Sequence, residues 1–313
     1  MQTGPIHTIL GAGGSIANAL VAALSARSLP LRLVGRHPAP IPGAETRKAD
    51  LTHQQETIDA VAGSSVVYLL AGLKYDHKLW AKTWPLLMDN TIEACKRAGA
   101  RLVFFDNVYM YGRVRGPMTE ESSYRPWSKK GEVRAAIATA LANEWKAGSL
   151  TAIIARSADF YGPGTKNGIP NAVVFEPMSK KSTPMCLVSD VLPHSYTYVP
   201  DAAQALVTLS ASDSAWNQVW HLPTAPRPLT GREFITAAAE AMGRPAKWRV
   251  LSRPMVKMVG WFNPTVREVY EMLYQNDSPY IFDSSKYAHA FGFAGTPYAE
   301  GLHATAGHYQ TKA

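Results

Sequence analysis

Residues 6–17 read IHTILGAGGSIA: a short aliphatic run, a turn with three glycines, and the opening of an amphipathic segment. The first part predicts a strand over Ile6–Leu10, and the last predicts a helix over Ile16–Ser28. Between them, Gly11, Gly13 and Gly14 let the backbone turn tightly and let a pyrophosphate come close to it. The amides at Ser15 and Ile16, with the positive end of the helix, favour the negative charge of that pyrophosphate. Glycines alone make only a turn. Placed after a strand, before a helix and ahead of a repeating strand–helix rhythm, they point to a bound dinucleotide.

That rhythm continues. Strands are expected at Leu31–Val34, Glu45–Lys48, Val66–Leu70, Leu102–Phe105 and Thr151–Ala155, and helices at Thr52–Val61, Trp80–Ala98 and Lys130–Lys146. The alternation predicts an α/β fold, a Rossmann-type doubly wound parallel sheet, over residues 1–155. Beyond Ala155 the pattern breaks at the Gly/Pro-rich stretch Tyr161–Pro170. Residues 156–313 are expected to form mainly a smaller substrate lobe, with segments returning to the Rossmann domain. In that lobe Thr230 and Glu233 form a capping box for a helix over Gly231–Met242, stopped by Gly243. Two further helices are expected at Arg253–Trp261 and Val266–Leu273. The aromatic and Met-rich stretch Met255–Tyr274 reads as lobe packing, with an apolar wall of the substrate cleft as the alternative.

The 313 residues are 46% hydrophobic and 18% charged, which excludes a disordered chain. No apolar run is long enough to cross a bilayer, and MQTGPIHTIL enters a strand without a cleavable leader, so a cytoplasmic protein with no membrane association is expected. Cys95 and Cys186 form neither a disulfide framework nor a metal spacing. The nine histidines show no paired ligand spacing, so no metal site is expected. Neither a Gly-x-Ser-x-Gly elbow nor a Walker loop is present, which argues against hydrolases and phosphotransferases. The net charge of +8 favours an anionic ligand, but the cations are scattered, so no nucleic-acid partner is expected. A small-molecule substrate is the expected partner, and a homodimer is allowed.

The choice of cofactor turns on the end of the second strand. An acidic residue there would accept hydrogen bonds from the ribose of NAD; this chain has Arg36, suited to a 2′-phosphate, so NADP(H) is expected and NAD remains open. The other reading of Arg36 is an exposed arginine at a strand end. Asp50 and Leu51 follow the third strand, and Leu70, Ala71 and Gly72 the fourth, where adenine and the dinucleotide backbone would lie.

The motifs GAGGSIA (11–17), KADL (48–51), LLAG (69–72), NVYMYG (107–112), RPWSKKGEVR (125–134), DFYGPG (159–164), IPN (169–171) and YTYVPDAAQAL (196–206) together resemble the extended short-chain dehydrogenase/reductase family, the NAD-dependent epimerase/dehydratase group, over nearly the whole chain. The resemblance implies a cofactor-binding N-terminal domain and a lobe that closes over substrate. It also implies that Phe160, Tyr161 and Gly162 lie near the nicotinamide and that Asn171 reaches the substrate. Two departures stand out. Asn107 takes the position of the family's Ser or Thr, and Lys130 and Arg134 take those of its Tyr-x-x-x-Lys pair, so the chain resembles an atypical member.

Lys130 and Arg134 share one helical face, where the guanidinium and desolvation would make the lysine a proton donor; otherwise both cations bind ribose and phosphate. Asn107 and Tyr109, two apart on an expected extended segment, would point to one side, with Tyr109 as acid and Asn107 as hydrogen-bond donor, unless Tyr109 is a packed aromatic. Tyr111 reads as structural. Lys74, Tyr75 and His77 follow the fourth strand at the sheet edge above the cofactor and either contact substrate or are solvated. Three functions fit: an NADP(H)-dependent oxidoreductase on a small carbonyl or alcohol, an epimerase or dehydratase that retains its cofactor, and a non-catalytic NADP(H)-sensing regulator.

Overall fold

The computed structural model describes residues 4–166 and 168–311. The chain divides into two compact units, each described on its own: residues 1–110, 130–156 and 203–220, and residues 111–129, 157–202 and 221–313.

The first unit is built on a sheet whose strands are β1 (Ile6–Leu10), β2 (Leu31–Gly35), β3 (Ala44–Lys48), β4 (Ser64–Leu69), β5 (Arg101–Asp106) and β6 (Ala152–Arg156). Its order is β6-β5-β4-β1-β2-β3, with Gln218–His221 added beside β6. The pairs from β3 through to β6 are all parallel. The order reverses between β1 and β4, the switch point at which doubly wound sheets bind ligands. Helices α1 (Ser15–Ser25), α2 (Gln54–Val61), α3 (His77–Ala98) and α4 (Lys129–Lys146) connect the strands.

Interior strands buried on both faces read as near-continuous apolar runs, and β6 is buried at every residue. The polar residues inside the sheet are paired. His7 Nδ1 lies 3.0 Å from the Tyr68 hydroxyl, which donates to Ser210 Oγ at 2.8 Å. Arg32 donates to Glu45 at 2.8 Å and to the carbonyls of Ala60 and Ala62. The exposed, charged β3 closes one edge, as edge strands tend to.

The expected elements of this unit are present, with shifted ends. α3 starts at His77 rather than Trp80, because the Asp76 carboxylate accepts from the amides of Lys78 and Leu79. α1 ends at Ser25, and Ser28 adopts φ 55° just beyond it.

The second unit has short strand pairs in place of a large sheet. Asp159–Tyr161 pairs in parallel with Tyr196–Tyr198, and Met185–Leu187 with Arg249–Leu251. Its core gathers Tyr161, Phe175, Phe234, Leu302 and the alanine face of the helix Gly231–Ala241. Thr230 and Glu233 cap that helix reciprocally. Helices follow at Arg253–Phe262 and Pro264–Tyr270. The expectation that Met255–Tyr274 packs as core holds for its end and for Val256 and Gly260. Met272, Leu273 and Tyr274 are buried, whereas Met255, Met258, Val259, Trp261 and Phe262 face solvent.

Candidate cofactor and catalytic site

The glycine turn sits at the C-terminal end of β1, beside the end of β4. The amides of Gly11 and Ala12 both donate to the Val34 carbonyl at 3.0 Å, fastening the turn to β2. Gly11 has φ 94°, and a Cβ there would lie 2.5 Å from the Ala71 Cα. Gly13 has φ 96° with open space where its side chain would be. Gly14 is the N-cap of α1, extended at φ −73° and ψ 161°, with no side-chain cap and no acid in the first turn. The turn thus presents a helix N-terminus over a space without side chains, a donor set that fits a pyrophosphate.

Arg36 and His37 are exposed just past β2, and among the described residues the Arg36 guanidinium makes no hydrogen bond or salt bridge. Asp50 accepts from the Thr52 amide at 2.9 Å and hydroxyl at 2.8 Å. Those bonds, and then the charges of His53 and Arg36, hold its carboxyl below the ordinary value. Leu51 is buried, and its carbonyl accepts from Asn90 Nδ2 at 2.9 Å. Ala71 and Gly72 lie beyond β4 beside the glycine turn, Gly72 exposed.

At the end of β5 the expected extended segment is absent. β5 stops at Asp106, the Asn107 carbonyl oxygen Oδ1 accepts from the Tyr109 amide at 3.0 Å, and Tyr109–Tyr111 forms a 3-10 turn. Asn107 and Tyr109 are therefore turn neighbours, not two side chains on one strand face. A short polar side chain that bonds the backbone two residues on turns the chain locally.

Lys130 is fully buried, and its Nζ stands 4.5 Å from the centroid of the Tyr75 ring. The Tyr75 hydroxyl donates to the Tyr109 hydroxyl at 3.4 Å. Trp80 stacks on Tyr109 with centroids 6.3 Å apart, and its indole donates to the Lys74 carbonyl at 2.9 Å. The Lys74 side chain is exposed, and His77 is the first residue of α3 rather than a loop residue.

The Arg134 guanidinium is engaged by a buried carboxylate. Its guanidinium donates twice to Asp106 Oδ1, from Nε at 2.7 Å and from a terminal nitrogen. It also lies 4.3 Å from the Trp84 ring. Asp106 Oδ2 meets Arg156 Nε at 3.5 Å, and all three residues are buried. Its charge is met by a carboxylate, the condition for keeping a guanidinium in an apolar interior. Sequence reasoning missed Asp106 and Arg156, although opposite charges close two apolar strands whose register sets them side by side.

In the second unit, Tyr161 and Asn171 are both buried. Tyr161 lies within the aromatic core against Tyr198, Phe234 and Tyr298. Asn171 is fully buried: Oδ1 accepts from the Gly162 amide at 3.3 Å, and Nδ2 donates to the Gly162 carbonyl at 3.0 Å and to the Tyr309 hydroxyl at 3.1 Å. Its amide protons are spent on the fold, so ligand contact would break bonds in the interior. Phe160 is half-buried.

No helix among the described residues is long and apolar enough to cross a membrane. A search of curated proteins gives no match. Solved structures match over nearly the full chain. A UDP-glucose 4-epimerase from Thermotoga maritima with UDP-glucose has TM-score 0.81 and 17% identity, covering 98% of this chain and 99% of that one. A Thermus thermophilus UDP-glucose 4-epimerase in complex with NAD has TM-score 0.79 and 20% identity, covering 98% and 100%. A Bacillus cereus UDP-glucuronic acid 4-epimerase in complex with NAD has TM-score 0.79 and 15% identity, covering 98% and 99%. These likenesses show the fold. The family model described as the NAD dependent epimerase/dehydratase family matches residues 7–220. With the glycine turn at the switch point of a parallel sheet, the chain belongs to the NAD-dependent epimerase/dehydratase family.

Proposed function

We propose that the protein is an NADP(H)-dependent oxidoreductase of the atypical extended short-chain dehydrogenase/reductase type, acting on a small carbonyl or alcohol. One observation carries the chemistry: the fully buried Lys130 lies over the ring of Tyr75, whose hydroxyl bonds the Tyr109 hydroxyl, in the same compact unit as the glycine turn. Gly13, Gly14, Ser15 and Ile16 would hold the pyrophosphate. Arg36 would hold a 2′-phosphate, and Ala71 and Gly72 would border the dinucleotide. When bound, the nicotinamide supplies the hydride donor or acceptor.

The chain's own residues supply the proton. Tyr109 accepts a hydrogen bond from Tyr75 and would give its hydroxyl proton to a carbonyl oxygen. The fixed charge of Lys130 on the Tyr75 ring favours the negative charge that grows on the phenol pair as that proton leaves. Asn107 positions Tyr109 through its bond to the Tyr109 amide. The exposed Lys74 is the proposed substrate contact; Asn171 is not retained. The free thiols of Cys95 and Cys186 support a cytoplasmic setting.

The test is consumption of NADPH against a panel of small aldehydes and ketones. Turnover with at least one, at lower apparent affinity for NADH, is expected. A second reading, an epimerase or dehydratase retaining its cofactor, is favoured by the 4-epimerases among the similar structures. Tightly co-purified cofactor with no net consumption would decide for it. Tight NADPH binding with no chemistry of either kind would leave the sensing role.

A further inference from the structure

The helix Arg253–Phe262 is turned inside out for a water-soluble unit. Val256 and Gly260 form its buried face, and a Cβ on Gly260 would lie 3.1 Å from the Arg267 Cα of the following helix. The opposite side carries Met255, Met258, Val259 and Phe262, spaced i, i+3, i+4, i+7, as one apolar stripe exposed to solvent. Phe262 is 86% exposed and its neighbour Trp261 70%, at the C-terminal tip. Single exposed hydrophobes are ordinary, whereas a contiguous stripe ending in Trp-Phe marks a contact surface.

Charge identifies what the stripe meets. From Ala241 to Arg267 the chain holds Arg244, Lys247, Arg249, Arg253, Lys257 and Arg267 and no Asp or Glu. Arg253 is paired with Asp277. Lys247, Arg249, Lys257 and Arg267 are exposed and make no ion pair among the described residues. A second copy would bring like charge against like. An anionic lipid surface offers headgroups to the cations and an acyl boundary to Trp, Phe and Met. Ten residues of helix measure about 15 Å, too short to span a bilayer, so the helix would lie in the interface plane.

We propose that this helix is a peripheral docking surface for anionic phospholipid, independent of the function proposed above. The experiment is co-sedimentation of the full chain with vesicles of phosphatidylcholine alone and of phosphatidylcholine mixed with phosphatidylglycerol. Binding to the anionic vesicles only is expected. The double variant Trp261→Ser/Phe262→Ser should weaken it by about tenfold or more, since both side chains lie at the apolar tip. Arg249→Glu/Lys257→Glu should weaken it while leaving the stripe intact. Circular dichroism and thermal melting check that the variants fold. Failure to bind either vesicle, or binding that neither variant changes, overturns the proposal. So does a dimer, seen by sedimentation equilibrium, that Trp261→Ser/Phe262→Ser dissociates without any vesicle binding.

Discussion

Replacing Gly14 by valine and Gly11 by alanine separates binding from folding, although the two positions are three residues apart. Gly14 is extended, and the nearest atom to an added Cβ is the Gly11 carbonyl oxygen at 3.8 Å. Its backbone accepts any residue, so the fold loses only the N-cap preference, about 1 kcal/mol. The valine methyls instead occupy the approach to the α1 N-terminus, where a pyrophosphate would accept charge-assisted hydrogen bonds worth about 1.5–3 kcal/mol each. Losing two such bonds weakens binding by about a hundredfold or more. Gly11→Ala strains the fold itself. At φ 94° a side chain costs about 1–2 kcal/mol. The Cβ, 2.5 Å from the Ala71 Cα, forces a backbone shift of about 1–3 kcal/mol. The sum, about 2–5 kcal/mol, is a large share of the roughly 5–15 kcal/mol that holds a domain together. Urea unfolding and calorimetric titration with NADPH read the two effects. A folded Gly14→Val protein that binds NADPH as the parent does would refute the nucleotide site.

Arg36→Ala should remove a preference for NADPH over NADH of about ten- to a hundredfold while leaving NADH binding nearly unchanged, because one charged hydrogen bond is worth that much; equal dissociation constants in the parent would defeat the assignment. Tyr109→Phe and Lys130→Met should each lower turnover about tenfold or more on an identified substrate, the tyrosine variant with little change in cofactor affinity. Full activity in both would mean another proton donor. Burial, then the charge of Arg101, holds the His7 imidazole below its ordinary value. The unfolded chain therefore takes up the proton first, and stability should fall as pH drops below about 6.5 and level off once the folded imidazole is also protonated. Urea midpoints measured against pH should show this slope in the parent and lose it in His7→Asn.

The interior of the sheet was legible because parallel strands buried on both faces must be aliphatic runs; each of the six predicted strands overlaps its observed counterpart, with ends shifted by at most two residues. Helix ends were less legible where the stop or start was chemical rather than periodic, as with the Asp76 cap four residues before the first periodic position. At the site, the glycine turn could be read from backbone requirements alone. The end of β5 could not, because Asn107 bends it with a side-chain bond that pattern does not reveal. Motif position also said nothing of side-chain direction: Tyr161 and Asn171 turn into the interior of their unit. Composition identified Met255–Phe262 as apolar without saying which side would face water. Tyr75 lies in the loop before α3 as expected, but its ring under the Lys130 amine could not be read from the sequence.

The sheet-bearing unit is not continuous in the chain, and this bears on its synthesis. The hydrogen-bonded line from His7 through Tyr68 ends on Ser210, a residue 142 positions after Tyr68. The outer neighbour of β6 is the strand Gln218–His221, and the Asn217 amide donates to the Ala152 carbonyl at 2.7 Å. A nascent chain that has emerged only as far as Arg156 holds β1 to β5 and a buried, apolar β6 with one bare edge, and it lacks the hydroxyl that completes the buried Tyr68 network. Such an edge is a template for pairing with other chains. A fragment of residues 1–156 should therefore aggregate on expression, and the ribosome must deliver some seven-tenths of the polypeptide before the sheet-bearing unit can close.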